Sequence, residues 1–90
     1  MKNSNNITFR PISEIANEIV TLWTKVDPAA SPYLLAMCYL QTMDDKYAED
    51  SASYCVAYFL GNATSWKGED ARRIKKELHS MLDSHNKRNK

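Results

Sequence analysis

The sequence predicts an all-α fold: a small bundle of four helices that oligomerises through its two apolar middle helices. Three observations carry that reading. Apolar residues recur at spacings of three and four near both ends of the chain. Two central runs, residues 33–40 and 54–60, are apolar or aromatic throughout. Breaks rich in Pro, Gly and Asp separate these segments at 27–32, 44–50 and 61–68. Ninety residues, 43% hydrophobic and 26% charged, form one globular domain over 1–90. A chain this short buries only about 60–65% of its unfolded surface, so association would add needed stability.

Residues 1–10 are polar and Asn-rich and are expected to form a loose arm. The first helix follows. Ser13 is placed to cap it, with Glu14 in the first turn, where the helix dipole favours an acid. Ile12, Ile15, Ile19, Trp23 and Val26 form a helical stripe, broadened by Ala16, Val20 and Leu22. DPAASP ends it, and Ser31-Pro32 restarts a helix with serine as cap and proline at the first helical position. The second helix runs to Met43 and is apolar all round over Tyr33–Leu40, so it is expected to be buried all round.

DDKYAED is a polar break. Asp50, supported by Ser51, caps a third helix, SASYCVAYFLGNA. Gly61 or Asn62 is expected to end it in the left-handed conformation. The last helix starts near Gly68 or Glu69, with Ala71, Ile74, Leu78, Met81 and Leu82 as its stripe. Glu69 and Asp70 are both within reach of Arg73. Residues 84–90 are expected to fray as a basic tail.

The net charge of +1 hides an asymmetry: 4 Lys/Arg against 7 Asp/Glu in residues 1–66, and 8 against 4 in residues 67–90. A basic C-terminal segment suits an anionic partner or a solvated helix face. The stretch WKGEDARRIKK focuses the question. Trp66 is either a plug over the corner between two helices or a stacking face. In the second case Lys67, Arg72 and Lys76 supply positive charge, and Tyr54 and Tyr58, i and i+4 on one face, extend an aromatic platform. Arg73 lies between Glu69 and Glu77, one turn to either side, so its charge is expected to be engaged within the helix. Glu69 and Asp70 oppose a phosphate at that helix start.

No catalytic constellation emerges. Cys38 and Cys55 sit in apolar runs as reduced thiols without a histidine partner. His79 and His85 are expected to face solvent. No set of Cys and His residues has metal-ligand spacing, and no glycine loop is built for phosphate. The chain is therefore read as no enzyme, with no cofactor. No apolar run is long enough to span a membrane, and MKNSNNITFRP lacks the apolar core of a signal peptide, which points to the cytoplasm.

Residues 58–78 carry Phe-Leu-x-Asn-Ala, then Trp-Lys-Gly-Glu, then Ala-Arg-x-Ile-Lys. This quarter of the chain resembles short, uncharacterised all-helical proteins of tailed phages and mobile elements. The resemblance implies a phage or mobile-element origin, a host-cell cytoplasmic location and a role as a binder. The function expected is that of a non-enzymatic homo-oligomer that engages and blocks a host protein. Two alternatives stand beside it: an oligomeric sponge for a small anionic signal such as a cyclic nucleotide, and a DNA-binding accessory protein. The acidic start of the last helix argues against nucleic acid.

Overall fold

A computed structural model describes residues 9–88. It contains four helices, α1 (Ile12–Leu22), α2 (Ser31–Met37), α3 (Ala52–Gly61) and α4 (Glu69–Arg88). Two short strands, β1 (Lys46–Tyr47) and β2 (Asp50–Ser51), pair antiparallel between α2 and α3, with Lys46 opposite Ser51 and Tyr47 opposite Asp50. This hairpin inside the expected polar break is the one departure from an all-helical chain among the described residues. Ala48 turns it with φ of 56°.

The stripes of α1 and α4 fall as their spacing requires. Ile12, Ile15, Ala16 and Ile19 are buried on α1, and Ala71, Ile74, Leu78 and Met81 on α4. Val20 and Leu22 do not widen the α1 stripe, because both are exposed. The α1 helix also stops at Leu22, with the Trp23 N–H donating to the Ile19 carbonyl. Trp23 continues the stripe into the core from outside the helix.

The expected caps shift by one or two residues, each for a physical reason. Pro11 precedes α1 and no side chain caps it. The Ile12 and Ser13 amides instead donate to the Gln41 and Leu40 carbonyls at 3.0 and 2.7 Å, so the chain leaving α2 closes the start of α1. Ser31 is the first residue of α2 rather than its cap. Asp27 organises that entry, its Oδ1 accepting from Ala29 N–H and its carbonyl from Ala30 and Ser31 N–H. Ser51, not Asp50, caps α3 by accepting from Tyr54 N–H at 3.2 Å. Neither Gly61 nor Asn62 is left-handed; Asn62 has φ of −109°, and its side-chain amide donates to the Tyr58 carbonyl. The left-handed glycine is Gly68, at φ 110°, where the chain turns into α4.

The α2 helix is much shorter than expected. It ends at Met37, and the chain then bends so that Leu40 and Gln41 reach α1. Asp45 holds the bend, its Oδ2 accepting from the Gln41 and Thr42 amides at 2.9 and 3.0 Å. Those two amides keep the Asp45 carboxyl below its ordinary pKa. Nor is α2 buried all round. Leu34, Ala36 and Met37 face the core, while Leu35 and Tyr39 point outward.

The broadest contact is α2 against α3, and α3 in turn packs on α4. Phe59, Met37, Ile74 and Leu78 fill the centre. A charge network clasps α1 to α4. Arg10 forms a two-pronged pair with Glu77, Nη2 to Oε1 at 2.7 Å and Nε to Oε2 at 3.0 Å. Its Nη1 lies 2.9 Å from Glu18 Oε1, an oxygen with no well-angled hydrogen bond of its own. Glu18 Oε2 accepts from Arg73, which also pairs with Asp70. Arg73 is thus engaged, but through Glu18 on another helix and Asp70 rather than through Glu69 and Glu77. The hydrogen bond from Arg73, then the Arg10 guanidinium beside Oε1, holds the Glu18 carboxyl below its ordinary value.

Most of the arm expected over 1–10 lies outside the described residues; within them, Phe9 packs against the core and Arg10 is the centre of the clasp. The frayed tail is corrected as far as Arg88, since α4 continues to that residue. His79 is exposed as expected, but His85 is largely covered, its Nδ1 3.4 Å from Asp44.

Candidate functional site

The α3 helix is the unusual element. It carries no charged residue, and Ser51 fixes its start. Ala52, Cys55, Val56 and Phe59 turn one side into the core. The opposite side presents Tyr54, Ala57, Tyr58 and Gly61, all exposed. Tyr54 and Tyr58 keep 42% and 46% of their surface, yet their rings pack together at 4.3 Å. Tyr33, at the start of α2, stacks on Tyr58 at 5.5 Å. The three rings form one cluster across the α2–α3 seam. Desolvation, reinforced by Tyr58, Tyr33 and Asp50, pushes the Tyr54 phenol up.

A second exposed patch adjoins α2. Leu35 and Tyr39 are 56% and 68% exposed, and Tyr39 leans on Tyr47 of the hairpin at 5.7 Å. Apart from Tyr47, which lies in the charged break DDKYAED, both patches belong to charge-free chain: residues 28–43 and 51–66 contain no Asp, Glu, Lys or Arg. That silence is legible in the sequence, and it is the signal for Tyr33, Leu35 and Tyr39, which spacing arguments on the basic end of the chain overlook.

The other expected site residues divide. Trp66 is buried to 6% exposure, and its face is taken by Trp23, parallel to within 12° at 5.5 Å. Trp23 also meets Phe59 edge to face. The stacking face expected of Trp66 is therefore covered, and the corner-plug alternative describes it. Lys67, Arg72 and Lys76 are exposed. Arg72 and Lys76 lie on the side of α4 away from its buried stripe, and the contacts of the tyrosine cluster are to one another. The structure thus joins Tyr54 to Tyr58 but does not bring the Trp66 ring to them as a platform. Lys75, absent from the expected set, donates to the Trp66 carbonyl at 2.7 Å; burial, then Lys67, lowers its pKa.

The chemistry elsewhere is sparse. Cys55 is buried and Cys38 half-buried, both free, and burial raises both thiols. Among the described residues no group of three or more His, Cys, Asp or Glu side chains could hold a metal ion. Phe9, Ser80, Asp83, Ser84 and Lys87 line an open groove of about 420 Å³. No helix among the described residues is long and apolar enough to cross a membrane. No protein-family model matches the chain, and neither the curated proteins nor the solved structures yield a match.

Proposed function

We propose that this chain is a non-enzymatic binding protein that self-associates through its middle helices and engages a host protein with the surface left free. One observation carries the reading: α2, the bend just after it and α3 expose Leu35, Tyr39, Tyr54 and Tyr58 on charge-free chain. Aromatic enrichment with depletion of charge is the signature of the centre of a protein interface. The resemblance of residues 58–78 to small phage and mobile-element proteins supports a host target and a host-cytoplasmic setting. The nucleotide-sponge alternative draws on the same tyrosines, but it needs cations beside the rings. Here Arg72 and Lys76 stand on the outward side of another helix.

Sedimentation equilibrium, followed by capture of host proteins on immobilised chain, tests the reading. The expected result is a reversible oligomer and one saturable host protein. An oligomer that captures no host protein but is shifted in its melt by cyclic nucleotides would favour the sponge instead, and a monomer at high micromolar concentration would refute the self-association.

A further inference from the structure

Resting on that reading, we propose that the partner of the α3 outer face is α3 of a second copy, crossed antiparallel about a two-fold axis beside Ala57 and Tyr58. The sequence of α3 carries two stripes. One, Ala52, Cys55, Val56 and Phe59, is spent on the core. The other, Tyr54, Ala57, Tyr58 and Gly61, has the spacing i, i+3, i+4, i+7 of a helix face meant for burial, yet all four residues are exposed.

The order of sizes along that second stripe selects the occupant. It runs large, small, large, small. In an antiparallel crossing about this axis, Tyr54 meets Gly61 of the second copy and Ala57 meets Tyr58 of the second copy. Every ring then faces a small residue, four times over, as ridges seat in grooves. The stripe is complementary to itself, which an isologous two-fold contact demands. It is also charge-free, so no like charges meet at the axis.

Gly61 supplies an independent reason. It is the last residue of α3, outside the left-handed region, and a Cβ there would meet nothing within 4 Å. No close approach and no positive φ inside the chain calls for a glycine there. A ring from a second copy does call for one. The tyrosines are already packed on each other and on Tyr33, so little side-chain freedom remains to be lost on association. Tyr54 and Tyr58 together expose roughly 180 Å² of surface, taking about 200 Å² per whole tyrosine. That is the centre of a small interface, below about 1,200 Å² in total, where association is reversible.

The α2 patch suits the axis less well. Tyr39 lies beyond the end of its helix and already leans on Tyr47.

The test is sedimentation equilibrium of the whole chain and of Ala57→Glu, Gly61→Leu, Leu35→Glu and Val20→Glu, each checked by far-UV circular dichroism melts. Ala57→Glu sets like charges near the axis, and Gly61→Leu fills the hole opposite Tyr54. Both sites are exposed in the single chain, so each variant reports even if the other misfolds. The expected result is a wild-type dimer of twice 10.3 kDa, weakened about tenfold or more by either α3 variant. Val20→Glu, on the exposed side of α1, should leave it unchanged. A wild-type monomer overturns the oligomer reading and this inference with it. A wild-type dimer that Leu35→Glu dissociates, while Ala57→Glu and Gly61→Leu do not, overturns this inference alone and moves the contact to α2.

Discussion

Trp66→Ala tests the corner between α3 and α4 most directly. The ring is buried in the core, stacked on Trp23, and the Trp66 carbonyl also receives Lys75. An enclosed aromatic side chain removes about 150–250 Å² from water. At about 25 cal/mol per Å², the middle of that range is worth ~5 kcal/mol, an upper figure because unfolded chains already bury part of it. The stack on Trp23 adds ~1 kcal/mol. A loss of about 4 kcal/mol is the expected outcome, inside the usual range for deleting a buried aromatic. A domain of this length holds only about 5–13 kcal/mol in total, so Trp66→Ala should approach the edge of folding. Trp66→Phe, which keeps a ring against Trp23, should lose about half as much. Urea titration followed by far-UV circular dichroism, at one fixed protein concentration, reads both. A loss below about 1 kcal/mol at unchanged m would refute the corner-plug reasoning.

Four further outcomes follow from the same geometry. Arg10→Met removes the two-pronged pair with Glu77 and the contact with Glu18, and should cost about 1–2 kcal/mol in urea titration. Glu18 has a folded pKa below its ordinary 4.5, so its stabilisation is complete above that value and is lost as pH falls through the lower folded one; Glu18→Gln should weaken the protein at neutral pH and flatten the acid limb of its thermal stability. Gly68→Ala forces a side chain to φ 110° and should cost about 1–3 kcal/mol, a loss visible in the same titration. Arg72→Glu with Lys76→Glu changes only exposed side chains and should shift stability by at most about 0.5 kcal/mol; in a binding assay the same pair should weaken any anionic partner, and unchanged affinity would leave the column a solvated face.

Periodicity made α1 and α4 legible, because their stripes depend on neighbours three and four residues away. It also placed α3 and its start within a residue. What it missed depends on residues distant in the chain. Ser13 looks like a cap, but its amide already has an acceptor in Leu40, so a side-chain cap is redundant there. The run from Tyr33 to Leu40 looks like one long helix, but closing the start of α1 requires the chain to leave α2 after Met37. Of two glycines, only Gly68 meets a turn that demands positive φ, and local sequence does not rank Gly61 below it. At the candidate site, the Tyr54–Tyr58 pairing follows from helical spacing. Tyr33 joins them only once α2 and α3 are packed. Trp66 was ambiguous for a related reason: whether a ring is a face or a plug is decided by Trp23, forty-three positions away in sequence.

The two hydrogen bonds from Ile12 and Ser13 to Gln41 and Leu40 have a consequence for how the molecule opens. Helix ends ordinarily fray one at a time, since their unpaired groups can return to water without disturbing a neighbour. Here the unpaired donors of one helix meet acceptors just beyond another, and Asp45 holds those acceptors from the far side. Neither end can loosen without exposing the other. Amide exchange at Ser13 should therefore report a shared opening of α1, the bend at 40–45 and the Asp45 brace, slower than the first turn of a solitary helix. The part of the chain that begins the fold is in this sense secured from its middle.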